Sequence, residues 1–293
     1  INTAEVIREE NPKATILALG VASPNINFAK GVLDILKERN KLHLIDKVSF
    51  HAYYPNPDNS TSSIIAFRNM VRSYSKDLDV VQGESGCPSA YEFGCAMKYN
   101  EWSEYKQAKW DLRRMANDFA MNIPSSIFSL VDLQYPYMQQ SFGLVRVNLM
   151  HEPQYKRPSY YAVQHLTRLL HDGIQPVEVK CKAFTNSEIK CVGLANKSGE
   201  KIGVMLWKSD LVPTDELDKE NVSVMLMDFA VEDLVYVEPI TGYVHDLSSV
   251  ITRGANEVDI AEAANGTINL RCAGLPLWDA PILLIKRSEL KLQ

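Results

Sequence analysis

In the first part of the chain, short apolar runs alternate with stretches whose apolar residues recur at helical spacing. The runs Ala14–Val21, Asp46–Tyr54, Leu78–Glu84 and Pro124–Leu133 predict strands, and the first is nearly continuous, the mark of burial on both faces. Between and around them, Asn2–Glu10, Phe28–Asn40, Ser62–Ser75, Glu101–Met121 and Lys156–His171 predict helices. Val32, Leu33, Ile35 and Leu36 stand at helical spacing in the second helix, and Trp110, Leu112, Met115, Phe119 and Met121 are among the apolar residues of the fourth. Asn11-Pro12, Pro55-Asn56-Pro57-Asp58 and Asp172-Gly173 punctuate the pattern.

After Gly173 the rhythm changes. Val177–Phe184, Ile189–Asn196, Lys201–Trp207, Val222–Phe229, Leu234–Ile240, Glu257–Ile260, Thr267–Cys272 and Ile282–Lys286 predict short strands. Thr185-Asn186, Lys197-Ser198-Gly199, Thr241-Gly242 and Asn265-Gly266 are the turns between them. The expected fold is therefore α/β plus all-β. Residues 1–173 read as four β/α units, half of an eight-fold barrel, and residues 174–293 as a β-sandwich.

Composition changes this picture little. The net charge of −5 and the lack of a basic stripe argue against a nucleic-acid partner. No apolar run approaches the roughly 20 residues needed to cross a bilayer, so no membrane partner is expected. The five cysteines, Cys87, Cys95, Cys181, Cys191 and Cys272, have no metal-ligand spacing, and neither metal nor cofactor is expected. Cys181 and Cys191 could pair across a hairpin, with buried free thiols as the default. Asn59-Ser60-Thr61, Asn196-Lys197-Ser198, Asn221-Val222-Ser223 and Asn265-Gly266-Thr267 are formal glycosylation acceptors too short to fix a compartment. Localisation stays open, although a secreted or periplasmic site would suit a polysaccharide degrader.

The chemistry concentrates where the third strand ends, in Gln82-Gly83-Glu84-Ser85-Gly86-Cys87-Pro88. An apolar strand delivers one carboxylate into a loop that Gly83 and Gly86 let bend and Pro88 stops. Barrels present catalytic residues in this way. Glu84 is read as the nucleophile of a retaining glycosidase, against the alternative of a plain loop carboxylate. Ser49, His51 and Tyr53 alternate along the preceding strand, so all three are expected on the face that carries Glu84. Cys87 reads as loop packing.

These segments carry a resemblance. Ser-Phe-His-Ala-Tyr-Tyr-Pro (49–55), Gln-Gly-Glu-Ser-Gly-Cys-Pro-Ser (82–89), Phe-Ser-Leu-Val-Asp-Leu (128–133) and Lys-Arg-Pro-Ser-Tyr-Tyr-Ala-Val-Gln (156–164) resemble the second half of a clan A glycoside hydrolase. The order matches strands five to eight of a TIM barrel followed by a β-sandwich, as in β-xylosidase/α-iduronidase-like families. The resemblance implies a carbohydrate substrate and Glu84 as nucleophile. It implies His51 and Tyr53 beside the nucleophile, the Tyr hydroxyl bonding it, and Asp132 lining the site. Phe128 stands where such enzymes often carry a Trp platform.

Enzymes of this type place their acid/base Glu at the end of the fourth strand, commonly in Asn-Glu-Pro. Only His151-Glu152-Pro153 approaches that pattern here, and it follows the eighth strand. Glu92, Glu101 and Glu104 read as rim residues. Retaining chemistry needs a second carboxyl about 5–5.5 Å from the first. The chain, opening at Ile1, is thus expected to be the C-terminal portion of a longer or split enzyme. Its partner would be the N-terminal half of the barrel. A non-catalytic carbohydrate-binding protein on a degenerate barrel is the alternative.

Overall fold

In the computed structural model, which describes residues 1–251, 258–262 and 268–291, the chain divides into two units. The Asn265-Gly266 turn, the Asn265-Gly266-Thr267 acceptor, and Glu257 and Thr267 of two expected strands lie outside the described residues. The units do not follow the halves of the sequence. One comprises residues 1–54, 59–85 and 123–128, and the other 55–58, 86–122 and 129–293.

The first unit contains α1 (Asn2–Glu10), β1 (Leu17–Val21), α2 (Ile26–Glu38), β2 (Lys47–His51), α3 (Thr61–Arg72), β3 (Asp79–Ser85) and β4 (Ser125–Ile127). The four strands form one parallel sheet in sequence order, β1-β2-β3-β4. Asn25 caps α2 by accepting from the Phe28 N–H at 3.0 Å. Ala29, Leu33 and Leu36 of α2 and Ile64, Phe67 and Val71 of α3 are buried. Phe50 of β2 meets Phe67 edge-to-face at 5.7 Å, which marks the Val48/Phe50 side of the sheet as the helix-covered side. The opposite side carries Ser49 and His51.

β1 and β4 lie at opposite edges and do not pair with each other, so this sheet is open. At one edge, Ile7, Leu17, Leu19, Val32 and Ile35 line an apolar groove, with Leu17 and Ile35 exposed. β3 begins on Asp79, which Arg68 grips through two bonds at 2.7 and 2.8 Å. Burial pushes the Asp79 carboxyl up, but its bonds to Arg68 and Arg72 outweigh this and lower its pKa to about 2.

β4 is much shorter than the expected run from Pro124 to Leu133. From Ser129 onward the backbone turns to the 142–145 segment instead. Ser129 N–H donates to the Phe142 carbonyl at 3.1 Å, and Val145 N–H to that of Leu130 at 2.9 Å.

In the second unit, α4 (Glu104–Ala120) precedes two small hairpins, β5 (Leu133–Tyr135) with β6 (Met138–Gln140) and β7 (Val145–Val147) with β8 (Pro153–Lys156). The sequence pattern predicts neither hairpin. α5 (Pro158–Leu169) follows, started by Pro158. The remaining strands are β9 (Gln175–Val177), β10 (Lys180–Phe184), β11 (Ile189–Ala195), β12 (Lys201–Lys208), β13 (Glu220–Met227), β14 (Leu234–Glu238), β15 (Tyr243–Asp246), β16 (Val258–Glu262), β17 (Ile268–Leu277) and β18 (Ile282–Lys286).

These strands form two antiparallel sheets, β10-β13-β17-β16 and β15-β14-β18-β12-β11-β9. The expected single strand Val177–Phe184 is split, β9 joining one sheet and β10 the other. Leu112 and Ala116 of α4 and Leu166 and Leu169 of α5 share one buried cluster with Leu194, Val204 and Leu284. That is why β12 and β18 read as unbroken apolar runs.

Candidate functional site

Glu84 owes its position to a bulge. Along β2 and β3, Ser49 pairs with Val81 and Phe50 with Gln82, but His51 then pairs with Glu84. Gly83 is the extra residue. In an unbroken strand Glu84 would follow Val80 and Gln82 onto the helix-covered side. The bulge turns it to the face of Ser49 and His51.

A side chain at the bulge would meet the Ser49 hydroxyl. A Cβ at position 83 would lie 2.1 Å from Ser49 Oγ and 3.4 Å from Ser49 Cβ. Gly83→Ala is therefore expected to cost about 1–3 kcal/mol by overpacking. In a Ser49→Ala background most of that cost should vanish, because only the hydroxyl obstructs. A double-mutant cycle from urea denaturation checks this; an undiminished penalty would point to backbone strain instead.

The Tyr53 hydroxyl donates to Glu84 Oε1 at 2.5 Å. His51 Nδ1 lies 3.8 Å from Glu84 Oε2, too far for a hydrogen bond but within electrostatic reach. The Glu84 side chain is 33% exposed, so one oxygen is anchored while the carboxylate stays open to a ligand. β2 ends at His51, and Tyr53 therefore stands beyond the strand on which the alternation placed it. Buried Ala52 holds the chain between them, and both side chains still reach the carboxylate. Phe128, just after β4, donates its N–H to the Ser85 carbonyl at 2.6 Å, next to the bulge.

Asp132 is placed differently. Its carboxylate is fully buried and takes two bonds from Arg157, at 2.7 and 2.9 Å. It also accepts the N–H groups of Gly143 and Val147, at 3.1 and 3.3 Å. With both oxygens engaged, Asp132 ties the 129–157 segment together and presents nothing to a sugar. The expectation that it lines a site does not fit this burial.

The other candidates are also accounted for. Glu152 is exposed and bonds Asn148 at 2.9 Å. Glu104 accepts from Tyr155 Oη at 2.7 Å and Arg157 Nε at 3.2 Å. Glu92 accepts from the Ser141 N–H, and Glu101 is exposed. Cys87 is buried against Trp102 and Trp110, and burial, with the nearby Asp111 carboxyl, pushes its thiol well up. It is no nucleophile.

A polar network that the apolar pattern does not reveal surrounds Asp58. It pairs with Arg113 Nε at 2.7 Å and accepts from Asn117 Nδ2 at 2.9 Å and Trp207 Nε1 at 3.0 Å. Burial raises its carboxyl, but the Arg113 and Lys190 charges prevail and hold it below the usual range. In the sequence its one signal is Pro55-Asn56-Pro57-Asp58, which marks a loop and not a network.

No family model matches this chain, and no curated protein does. Solved structures similar to it include an FMN-binding beta-glucuronidase from Facaelibacterium prausnitzii L2-6, at 14% identity and a TM-score of 0.40, over 77% of this chain and 35% of that one. A glycoside hydrolase family 17 beta-1,3-glucanosyltransferase from Rhizomucor miehei is similar at 19% identity and a TM-score of 0.31, over 50% of this chain and 65% of that one. Bacteroides uniformis beta-glucuronidase 2 is similar at 12% identity and a TM-score of 0.37, covering 77% and 28%. The chain thus spans about a third of the length of these glucuronidases.

Proposed function

We propose that this chain carries the nucleophile of a retaining glycoside hydrolase. The observation that supports this most is the Tyr53–Glu84 hydrogen bond at the C-terminal ends of adjacent parallel strands. A charge-assisted bond to one oxygen fixes the carboxylate's rotamer and leaves the other oxygen to act. In the proposed reaction, Glu84 Oε2 attacks the anomeric carbon as the glycosidic C–O bond breaks. The leaving oxygen takes a proton from a second carboxyl. Water, deprotonated by that same group, then cleaves the glycosyl ester and restores Glu84. His51 is assigned to a sugar hydroxyl near Glu84, and Phe128 to the sugar's apolar face.

The second carboxyl belongs, in this proposal, to a polypeptide that continues the open sheet. Unpaired strand edges beside apolar surface invite such pairing, and the groove at Leu17 and Ile35 offers both. Residues 1–173 would then be the C-terminal half of a barrel and 174–293 its sandwich. Native mass spectrometry of the active species should show this chain joined to further polypeptide, covalently or not. Full activity from these 293 residues alone would contradict the assignment.

Tyr53→Phe tests the hydrogen bond itself. It removes one hydroxyl and is expected to lower kcat about 10- to 100-fold, or ~1.4–2.7 kcal/mol, with little change in Tm. Unchanged kcat would remove Tyr53 from the catalytic machinery. A carbohydrate-binding protein without catalysis would show ligand binding but no turnover, and Tyr53→Phe would then alter affinity alone.

A further inference from the structure

Gln82 breaks the pattern of its own strand. It follows Val80 onto the helix-covered side of β3, where Val48, Phe50 and Val80 are apolar and fully buried, yet it is polar and just as buried. A buried amide needs partners. Two carbonyl oxygens lie at one end of its side chain, that of Phe50 at 2.7 Å and that of Glu84 at 3.3 Å. Both can only accept, so the amide nitrogen takes that end and donates to each. Gln82 thus ties β2 to the residue that closes the bulge.

The other flank has a tie of its own. Against β2 the bulge advances β3 by two residues for one, from the Phe50–Gln82 pair to the His51–Glu84 pair. Against β4 it advances three residues for two, from Gln82–Ser125 to Ser85–Ile127. Both ladders therefore skip at the same place. On the β4 side the Ser85 hydroxyl, in a fully buried residue, donates to the Ser126 carbonyl at 3.1 Å, inside the skipped stretch. On each flank a side chain makes a cross-strand bond where the backbone register breaks.

We propose that Gln82 and Ser85 are positioning residues, whose side-chain hydrogen bonds hold the Gly83 bulge and so fix where Glu84 stands. Bulges re-aim side chains, and a slip of one residue would return Glu84 to the helix-covered face. Gly83 has no side chain with which to resist such a slip. Tyr53 fixes the carboxylate's rotamer at 2.5 Å, but only where the backbone has already brought Glu84 within reach. A misplacement of about 1 Å can cost a reaction about 100-fold. The effect on rate rests on Glu84 being the nucleophile; the effect on its position does not.

Three variants of the active protein test this. Gln82→Met keeps the side chain's length but has no donor, Ser85→Ala removes one hydroxyl, and Ser85→Thr retains it. Gln82→Met is expected to lower kcat about 10- to 100-fold with KM little changed. Its crystal structure should show the Glu84 carboxylate beyond hydrogen-bond reach of the Tyr53 hydroxyl. Ser85→Ala should act in the same direction more weakly, and Ser85→Thr should stand closer to wild type. A lowered Tm with kcat per folded molecule unchanged and Glu84 still on Tyr53 would overturn the proposal. If Gln82→Met does not fold, the two Ser85 variants decide by the same readouts. Failure of the nucleophile reading looks different: Glu84→Gln would keep its turnover, and the place of Glu84 in the variant structures would still decide the positioning role.

Discussion

Glu84→Gln should abolish turnover, lowering kcat by about 10³- to 10⁵-fold, equivalent to ~4–7 kcal/mol of transition-state stabilisation. The substitution is nearly isosteric. The Gln carbonyl can still accept the Tyr53 hydroxyl, and a neutral side chain leaves His51 uncrowded at its 3.8 Å separation. The backbone bulge depends on Gly83 rather than on the carboxylate. Folding should therefore survive, and Tm should stay within a few degrees of wild type. What disappears is an oxygen able to form a covalent ester. A fall in kcat at constant Tm supports the nucleophile assignment. A collapse in Tm would make Glu84 a structural residue.

The largest effect on stability is expected at Asp132. Removing one partner from a fully buried ion pair leaves the other charge without compensation, at a cost of about 3–5 kcal/mol. Asp132→Ala would leave Arg157, whose side chain has no solvent exposure, with the part-exposed Glu104 carboxylate at 3.2 Å and the Gly143 carbonyl in place of its two-oxygen partner. Two backbone N–H groups, of Gly143 and Val147, would lose their acceptor as well. Chemical denaturation should show the midpoint falling sharply. Replacing the pair together, as Asp132→Leu with Arg157→Met, should cost less than Asp132→Ala, because no buried charge is then left alone. If Asp132→Ala instead folds normally and only weakens sugar binding, the carboxylate lines a site after all.

The strands of the first unit were legible because a parallel sheet covered by helices needs continuous apolar runs, and Val48, Phe50 and Val80 supply them. The grouping of Glu84, His51 and Tyr53 was legible for a partly mistaken reason. Strict alternation would have put His51 and Tyr53 on one face of β2, but Tyr53 acts from beyond the strand, and Glu84 reaches that face only through the Gly83 bulge. A glycine before a carboxylate signals flexibility without saying which way the chain will turn.

Other features were hidden because their partners are remote in sequence. α4 reads as an amphipathic helix, yet Lys109, Arg113, Arg114 and Asp118 on it are buried. Lys109 is satisfied by Asp279 at 2.5 Å and Arg113 by Asp58, and no local pattern announces either. The β5–β6 and β7–β8 hairpins were missed for a similar reason. Their cross-strand pairs are few, and they are organised by Asp132 and Arg157 rather than by an apolar stripe. Asp132 itself looked like a site residue because an acid near a strand end can serve catalysis or anchor a fold, and only burial tells the two apart.

Mechanism-based trapping tests the proposed nucleophile most directly. The active protein would be incubated with a panel of activated 2-deoxy-2-fluoroglycosides, which slow hydrolysis of a glycosyl ester more than its formation, and the label located by peptide mapping. The predicted result is a single fluoroglycosyl group esterified to Glu84, in the peptide spanning Asp79–Ser89. A label on any other carboxylate would contradict it.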